Sequence, residues 1–154
     1  MRLNLRANLQ VLALLSVTAM LLVGCDPGYQ LRPVGWSVGP HQKWSKQFDS
    51  FEIETRGIGG LIGEWWVDPD LQIVKNTKPI SVRSAELRTA KETFKAEIYG
   101  SDPIPPSETG YHIPIEWKFD RDRAAPRVLG DHCEIILNLT VGSEARQITI
   151  EYAK

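Results

Sequence analysis

Residues 132–153 read HCEIILNLTVGSEARQITIEYA, and their period decides the fold class. Cys133, Ile135, Leu137, Leu139 and Val141 alternate with His132, Glu134, Asn138 and Thr140, with Ile136 the exception in the polar set. Gly142-Ser143 interrupts the run, after which Ile148, Ile150 and Tyr152 alternate with Gln147, Thr149 and Glu151. A period of two places one apolar set on one face of a strand, and a Gly-Ser pair between two such runs marks a hairpin. A slip of one residue would put either apolar set into water, so the pattern specifies register as well as pairing.

The same period recurs upstream. Phe51 and Ile53 alternate with Glu52 and Glu54. Leu71 and Ile73 follow the turn residues Asp68-Pro69-Asp70, and Ile80 and Val82 alternate with Ser81 and Arg83. The clearest single strand runs through Tyr111, Ile113, Ile115, Trp117 and Phe119, with His112, Pro114, Glu116 and Lys118 on the other face. Pro114 cannot donate to a ladder, which predicts an edge strand or a bulge there.

Residues 84–98 (SAELRTAKETFKAEI) admit two readings. Leu87, Phe94 and Ile98 fit helical spacing, with Ser84 as a possible N-cap. Alternatively, a strand ends near Leu87, the chain turns over Thr89 to Glu92, and Phe94, Ala96 and Ile98 line the next strand. The neighbouring strands favour the hairpin, at the cost of a bulge between Val82 and Ala85. Seven or eight short strands at this turn spacing predict an all-β, immunoglobulin-like β-sandwich over residues 36–154. The Cys…Trp…Cys spacing of true immunoglobulin domains is absent. A helix near 84–98 would make the fold α+β instead.

The N-terminal segment has the composition of an export signal. Arg2 and Arg6 carry its charge, and Val11 to Val23 is apolar apart from Ser16 and Thr18. That run is shorter than the ~20 apolar residues a membrane-spanning helix needs. It ends Leu22-Val23-Gly24-Cys25, which resembles the lipobox of bacterial lipoproteins. The resemblance implies cleavage between Gly24 and Cys25, diacylglyceryl and acyl (palmitate-type) modification of Cys25, and a lipid-anchored domain facing the periplasm or exterior. Two or three acyl chains hold a protein stably on a membrane where one does not. Asp26 resembles the inner-membrane retention signal of enterobacterial lipoproteins. Residues 25–35 then read as the lipidated Cys and a Pro- and Gly-punctuated tether reaching about 35 Å.

Removing residues 1–24 would leave the 18 basic residues less Arg2 and Arg6, against 19 acidic ones. That mild acidity argues against nucleic acid and against electrostatic attachment to anionic lipid, both of which need a basic face. With Cys25 lipidated, Cys133 has no partner for a disulfide, and its phase in the strand predicts a buried, inert thiol.

Motifs with chemical meaning are sparse. Gly57, Gly59, Gly60 and Gly63 do not complete a dinucleotide fingerprint, because Ile62 stands where a glycine is required. His112 and Glu116 on one strand would be about 13 Å apart, too far to share a metal. Neither His132 with Glu134 nor the pairs Asp68/Asp70 and Asp120/Asp122 continue into a zinc or calcium ligand set. Asp120 to Arg123 read as a solvated turn, and no G-x-S-x-G nucleophile context occurs. Asn138-Leu139-Thr140 matches a glycosylation pattern but falls in a strand.

Tryptophan is the one excess. Trp36, Trp44, Trp65, Trp66 and Trp117 all follow Cys25. Trp65 and Trp66 are adjacent, so one of them points away from the core if they lie on a strand, and an exposed aromatic marks a binding surface. These observations predict a non-enzymatic, membrane-anchored protein-interaction or accessory domain of the cell envelope, with no cofactor or metal. A glycan- or peptidoglycan-binding module using Trp65 or Trp66 is the alternative, and a hydrolase built on His112 and His132 a distant third.

Overall fold

The computed structural model describes residues 29–60, 66–100, 103–119 and 125–154. These form β1 (Tyr29–Pro33), β2 (Ser37–Val38), a 3-10 turn (Pro40–Gln42), β3 (Trp44–Phe48), β4 (Phe51–Thr55), β5 (Ile58–Gly60) and β6 (Trp66–Val67). Then follow β7 (Gln72–Asn76), β8 (Ile80–Thr89), β9 (Thr93–Lys95), β10 (Glu97–Ile98), β11 (Tyr111–His112) and β12 (Ile115–Lys118). A short helix α1 (Ala125–Leu129) precedes β13 (His132–Val141) and β14 (Glu144–Ala153). The expected strands are present except that the run 94–98 is divided between β9 and β10, which lie in different sheets, and the run 111–119 between β11 and β12; further short pieces add to them.

The alternating run at 132–153 folds as the hairpin its period dictates. β13 and β14 pair without interruption from His132↔Ala153 to Val141↔Glu144. Gly142 supplies a φ of 62° at the first turn position, a backbone that glycine adopts without strain. On its other side β13 pairs with β8, from Cys133↔Thr89 to Val141↔Ile80. The register shifts between Asn138 and Leu139, leaving Arg83 as the extra residue. This is the bulge that the hairpin reading of 84–98 requires, and β8 and β9 pair around the turn at Thr89–Glu92 as that reading has it. The helix alternative is not needed.

Three antiparallel sheets result: β5-β1-β14-β13-β8-β9, β11-β7-β4-β3-β2 and β10-β12-β6. They share one apolar core, an all-β sandwich in which Ile135, Leu137, Ile53, Ile73, Leu87 and Tyr152 are fully buried.

Two expectations need correction. Residues 29–33 are not tether. β1 pairs with β14 through Arg32↔Ala153 and Pro33↔Tyr152, and with β5 through Tyr29↔Gly60 to Leu31↔Ile58. Leu31 is fully buried, and that burial holds the segment in the sheet. Val34 N–H donates to the Glu151 carbonyl at 2.8 Å, so Pro33 occupies the alternate position, where its missing donor faces away from β14.

The strand expected across 111–119 is two strands. Its first half, β11, pairs with β7, and its second half, β12, pairs with β10 and β6. The break falls at Ile113-Pro114, where the Pro114 carbonyl accepts from Tyr99 N–H at 2.9 Å and Ile115 N–H turns back to the Ile113 carbonyl. A residue without a donor lets the chain leave one sheet for another there.

Thr55 ties the layers together. Its buried hydroxyl donates to the Pro69 carbonyl at 2.6 Å and accepts from Gly57 N–H at 2.9 Å, while the Tyr152 hydroxyl of the opposite sheet stands 3.5 Å away. Gly57 has a φ of 81°, and a Cβ there would lie 2.5 Å from the Leu31 carbonyl oxygen. The Thr55→Val variant keeps the shape but strands a buried acceptor and donor. It should lose about 1–3 kcal/mol of stability in urea unfolding. An unchanged midpoint would show that the hydroxyl does not matter.

Candidate functional site

Gly24 and Cys25 lie outside the described residues, as does Trp65. Trp66 begins β6, where its backbone pairs with Lys118. Trp36, Trp44 and Trp117 are spent in the core. The Trp117 indole N–H donates to the Phe94 carbonyl at 3.1 Å, which ties β12 to β9. Asp120, Asp122 and Gly63 also lie outside the described residues. The Asn138 amide is engaged with Ser84 Oγ and with the Gln147 amide, both at 2.9 Å.

The structure brings together two features that the sequence kept apart. His112 Nε2 lies 3.7 Å from Asp68 and 3.9 Å from Asp70. The carboxylates already have work: Asp68 caps the turn by accepting from Asp70 N–H, and Asp70 takes Gln72 Nε2 and faces Arg56. Among the described residues no group of three or more His, Cys, Asp and Glu side chains is placed to hold a metal ion. His132 pairs with Glu151 at 3.0 Å, and Glu134 faces Arg88 instead.

A second polar cluster was invisible in the sequence. The Tyr99 hydroxyl is bonded to both Glu97 and Glu116, and Lys118 Nζ sits 3.0 Å from Glu97 and 2.8 Å from Glu116. The hydrogen bonds to Glu116 and Glu97 raise the Tyr99 hydroxyl above its ordinary range. The Tyr99 bond, then Lys118, lowers Glu97; Lys118, then Tyr99, lowers Glu116. Lys118 stays charged throughout, raised chiefly by its bond to Glu116. All four groups face solvent, so this is a satisfied surface network with no group poised to exchange a proton near neutrality.

A groove of about 350 Å³ lies between the β3–β4 turn and the first half of β14. Phe48 and Phe51 stack at 5.0 Å on one wall, and the Gln47 amide caps the turn by donating to both their carbonyls. Arg146 to Thr149 form the other wall. Arg146 is bonded to Glu144 at 2.8 Å and reaches Asp49 at 4.0 Å, so the rim carries balanced charge. A smaller hollow of about 160 Å³ lies between Ile80, Tyr99, Ile104 and Pro114. No family model, no curated protein and no solved structure matches this chain.

Cys133 is the one nucleophile among the described residues that sequence reasoning placed correctly. Its side chain is fully buried opposite Tyr152, and desolvation, with a smaller contribution from Glu134, pushes the thiol from its ordinary 9.0 to about 12. Burial raises the Tyr152 hydroxyl as well. A thiol reagent should leave native Cys133 unmodified at about pH 8 and label it on unfolding. Because the folded thiol holds its proton where the unfolded one loses it, stability should fall as the pH climbs from 9 toward 12. Labelling at the same rate with and without denaturant would contradict the burial.

Proposed function

We propose that this chain is a lipid-anchored lipoprotein of the bacterial cell envelope whose β-sandwich acts without chemistry of its own, as a protein-interaction or accessory domain. The observation that carries the reading is the spacing between Cys25 and Tyr29. With residues 1–24 removed and Cys25 acylated, about 14 Å of chain at most separates the lipid from the first strand of the core. A domain tied so closely works at the membrane surface, on partners that are themselves in or against the membrane. Asp26 inclines the reading toward the inner membrane. No helix among the described residues is long and apolar enough to cross a membrane. The polar clusters around His112 and Tyr99 are engaged with their own neighbours, which supports a binding role over catalysis.

Metabolic labelling with a palmitate analogue and membrane fractionation test the anchor. Wild type should carry label and sediment with membranes, and Cys25→Ser should lose both; a labelled or still membrane-bound Cys25→Ser protein would refute the anchor. In-cell crosslinking tests the role: wild type should yield a reproducible set of envelope proteins that the Cys25→Ser variant loses. A crosslinking profile identical in the two would refute the surface-bound interaction reading.

A further inference from the structure

Among the described residues, every strand that ends a sheet is short. β5 and β9 close the six-stranded sheet, β11 and β2 the five-stranded sheet, and β10 and β6 the three-stranded one, each with two or three residues. Short edges are how a β-protein avoids pairing with foreign strands. One long edge breaks this pattern, and it lies inside the strand order. β14 has β1 as its outer neighbour, but β1 pairs only with Ala153 and Tyr152 before Val34 makes its last bond, to Glu151. From Glu144 to Ile150 the side of β14 facing away from β13 has no strand beside it among the described residues.

The hydrogen-bonding phase of that open stretch follows from what is paired. Glu151 offers its carbonyl to β1, so in an antiparallel ladder every second residue from it also points its N–H and C=O outward. These are Thr149, Gln147 and Ala145. The stretch is regular, with no bulge and no proline. The other uncovered stretch of a long strand, around Arg83 on β8, carries a bulge. The open side of β14 faces the groove described above, so Phe48, Phe51 and Ile148 lie alongside unpaired backbone.

We propose that this groove takes an extended segment of a partner polypeptide, which adds as a further strand to β14 at Ala145, Gln147 and Thr149. The proposal rests on the interaction reading above and names its surface. Three outward donor–acceptor pairs at a two-residue repeat match the backbone of another strand. The alternate side chains of that strand would fall toward Phe48, Phe51 and Ile148 on one side and beside Gln147 and Thr149 on the other. The segment is therefore apolar and polar by turns. Arg146 is already neutralised by Glu144 and Asp49, so the groove does not ask for a charged ligand.

Once cut before Cys25, the chain's own N-terminus would be too short to fill it. Tyr29 lies beyond the Ala153 end of β14, and Gln147 is six residues back, about 20 Å. With residues 1–24 removed as proposed above, residues 25–28 would span about 14 Å at most. A second copy would bring its own β14 walled by its own β3–β4 turn.

The test uses the full chain in detergent micelles and a fluorescent, lysine-flanked peptide alternating valine with threonine. A twin peptide is N-methylated on alternate amides. The plain peptide should bind and slow hydrogen exchange at the Ala145, Gln147 and Thr149 amides by about tenfold or more. The N-methylated twin should not bind. Gln147→Ala removes only the side-chain bond to Asn138 and should bind the peptide as wild type does, whereas Gln147→Pro also removes the outward N–H, so it should keep the exchange protection of β13 while weakening the peptide by about tenfold or more. No binding at millimolar peptide, or equal binding by the twin and by Gln147→Pro, overturns the proposal. So does sedimentation showing a dimer that Gln147→Pro abolishes, because the edge is then filled by a second copy. If crosslinked partners persist while the peptide fails, only the groove is refuted; if both fail, the interaction reading falls with it.

Discussion

The pairing of β13 on both flanks is the constraint on which the rest of the structure depends. Its backbone is bonded to β14 along its whole length and to β8 along nearly all of it, so it has no freedom to shift. Cys133, Ile135, Leu137, Leu139 and Val141 must then all face one way, and burying them requires a second layer. β4 and β7 supply it with Phe51, Ile53 and Ile73, and β12 adds Ile115 and Trp117. The outward face stays polar, with Ser84, Asn138 and Gln147 bonded in a row across three strands. Ile136 lies on that face yet is only 6% exposed, between its cross-strand partners Glu86 and Thr149.

Among the described residues no disulfide joins the layers. Polar contacts at a few points do some of that work instead. Thr55 links the β4 side of the core to the turn at Pro69 and to Tyr152, and the Trp117 indole links β12 to Phe94. Phe94 also meets Phe119 edge-on at 5.0 Å. Asn76 bonds through its amide to the carbonyls of Lys78 and Pro105, which holds the segment around Ser107 against β7. Thr55, Asn76, Trp117 and Tyr152 are buried, and there an unmade hydrogen bond costs more than a made one contributes.

The parts of the fold that could be read in advance are those where side-chain period and local turn chemistry agree. The 132–153 hairpin has both, and the 84–98 hairpin could be argued from its neighbours. Where a proline sat in an alternating run the reading went astray in opposite directions. Pro33 argued for a tether, but the missing donor is harmless at its position, and Leu31 outweighs it by burial. Pro114 argued for a local irregularity, but it marks a change of sheet, and pairing partners are not a local property. Helix α1 gave no periodic signal in its five residues. The groove was illegible for the same reason as the Tyr99 cluster: Phe48 and Arg146 lie about a hundred residues apart, and nothing in either neighbourhood announces the other. Cys133 was legible because burial in a strand follows from phase alone.

The pairing of β1 with β14 has a consequence for how the molecule comes into being. The first strand of the sheet rests on the last, and β8 waits for β13. A chain emerging N-terminus first has every strand of the five-stranded sheet by residue 112, but the six-stranded sheet waits for its last two strands. Until residue 153 is available, Leu31, Leu87 and Ile80 lack the hairpin that completes their sheet. The ordering is costly in loop entropy and slow. It also means that a growing or threading chain cannot complete this sheet until its final residues are free.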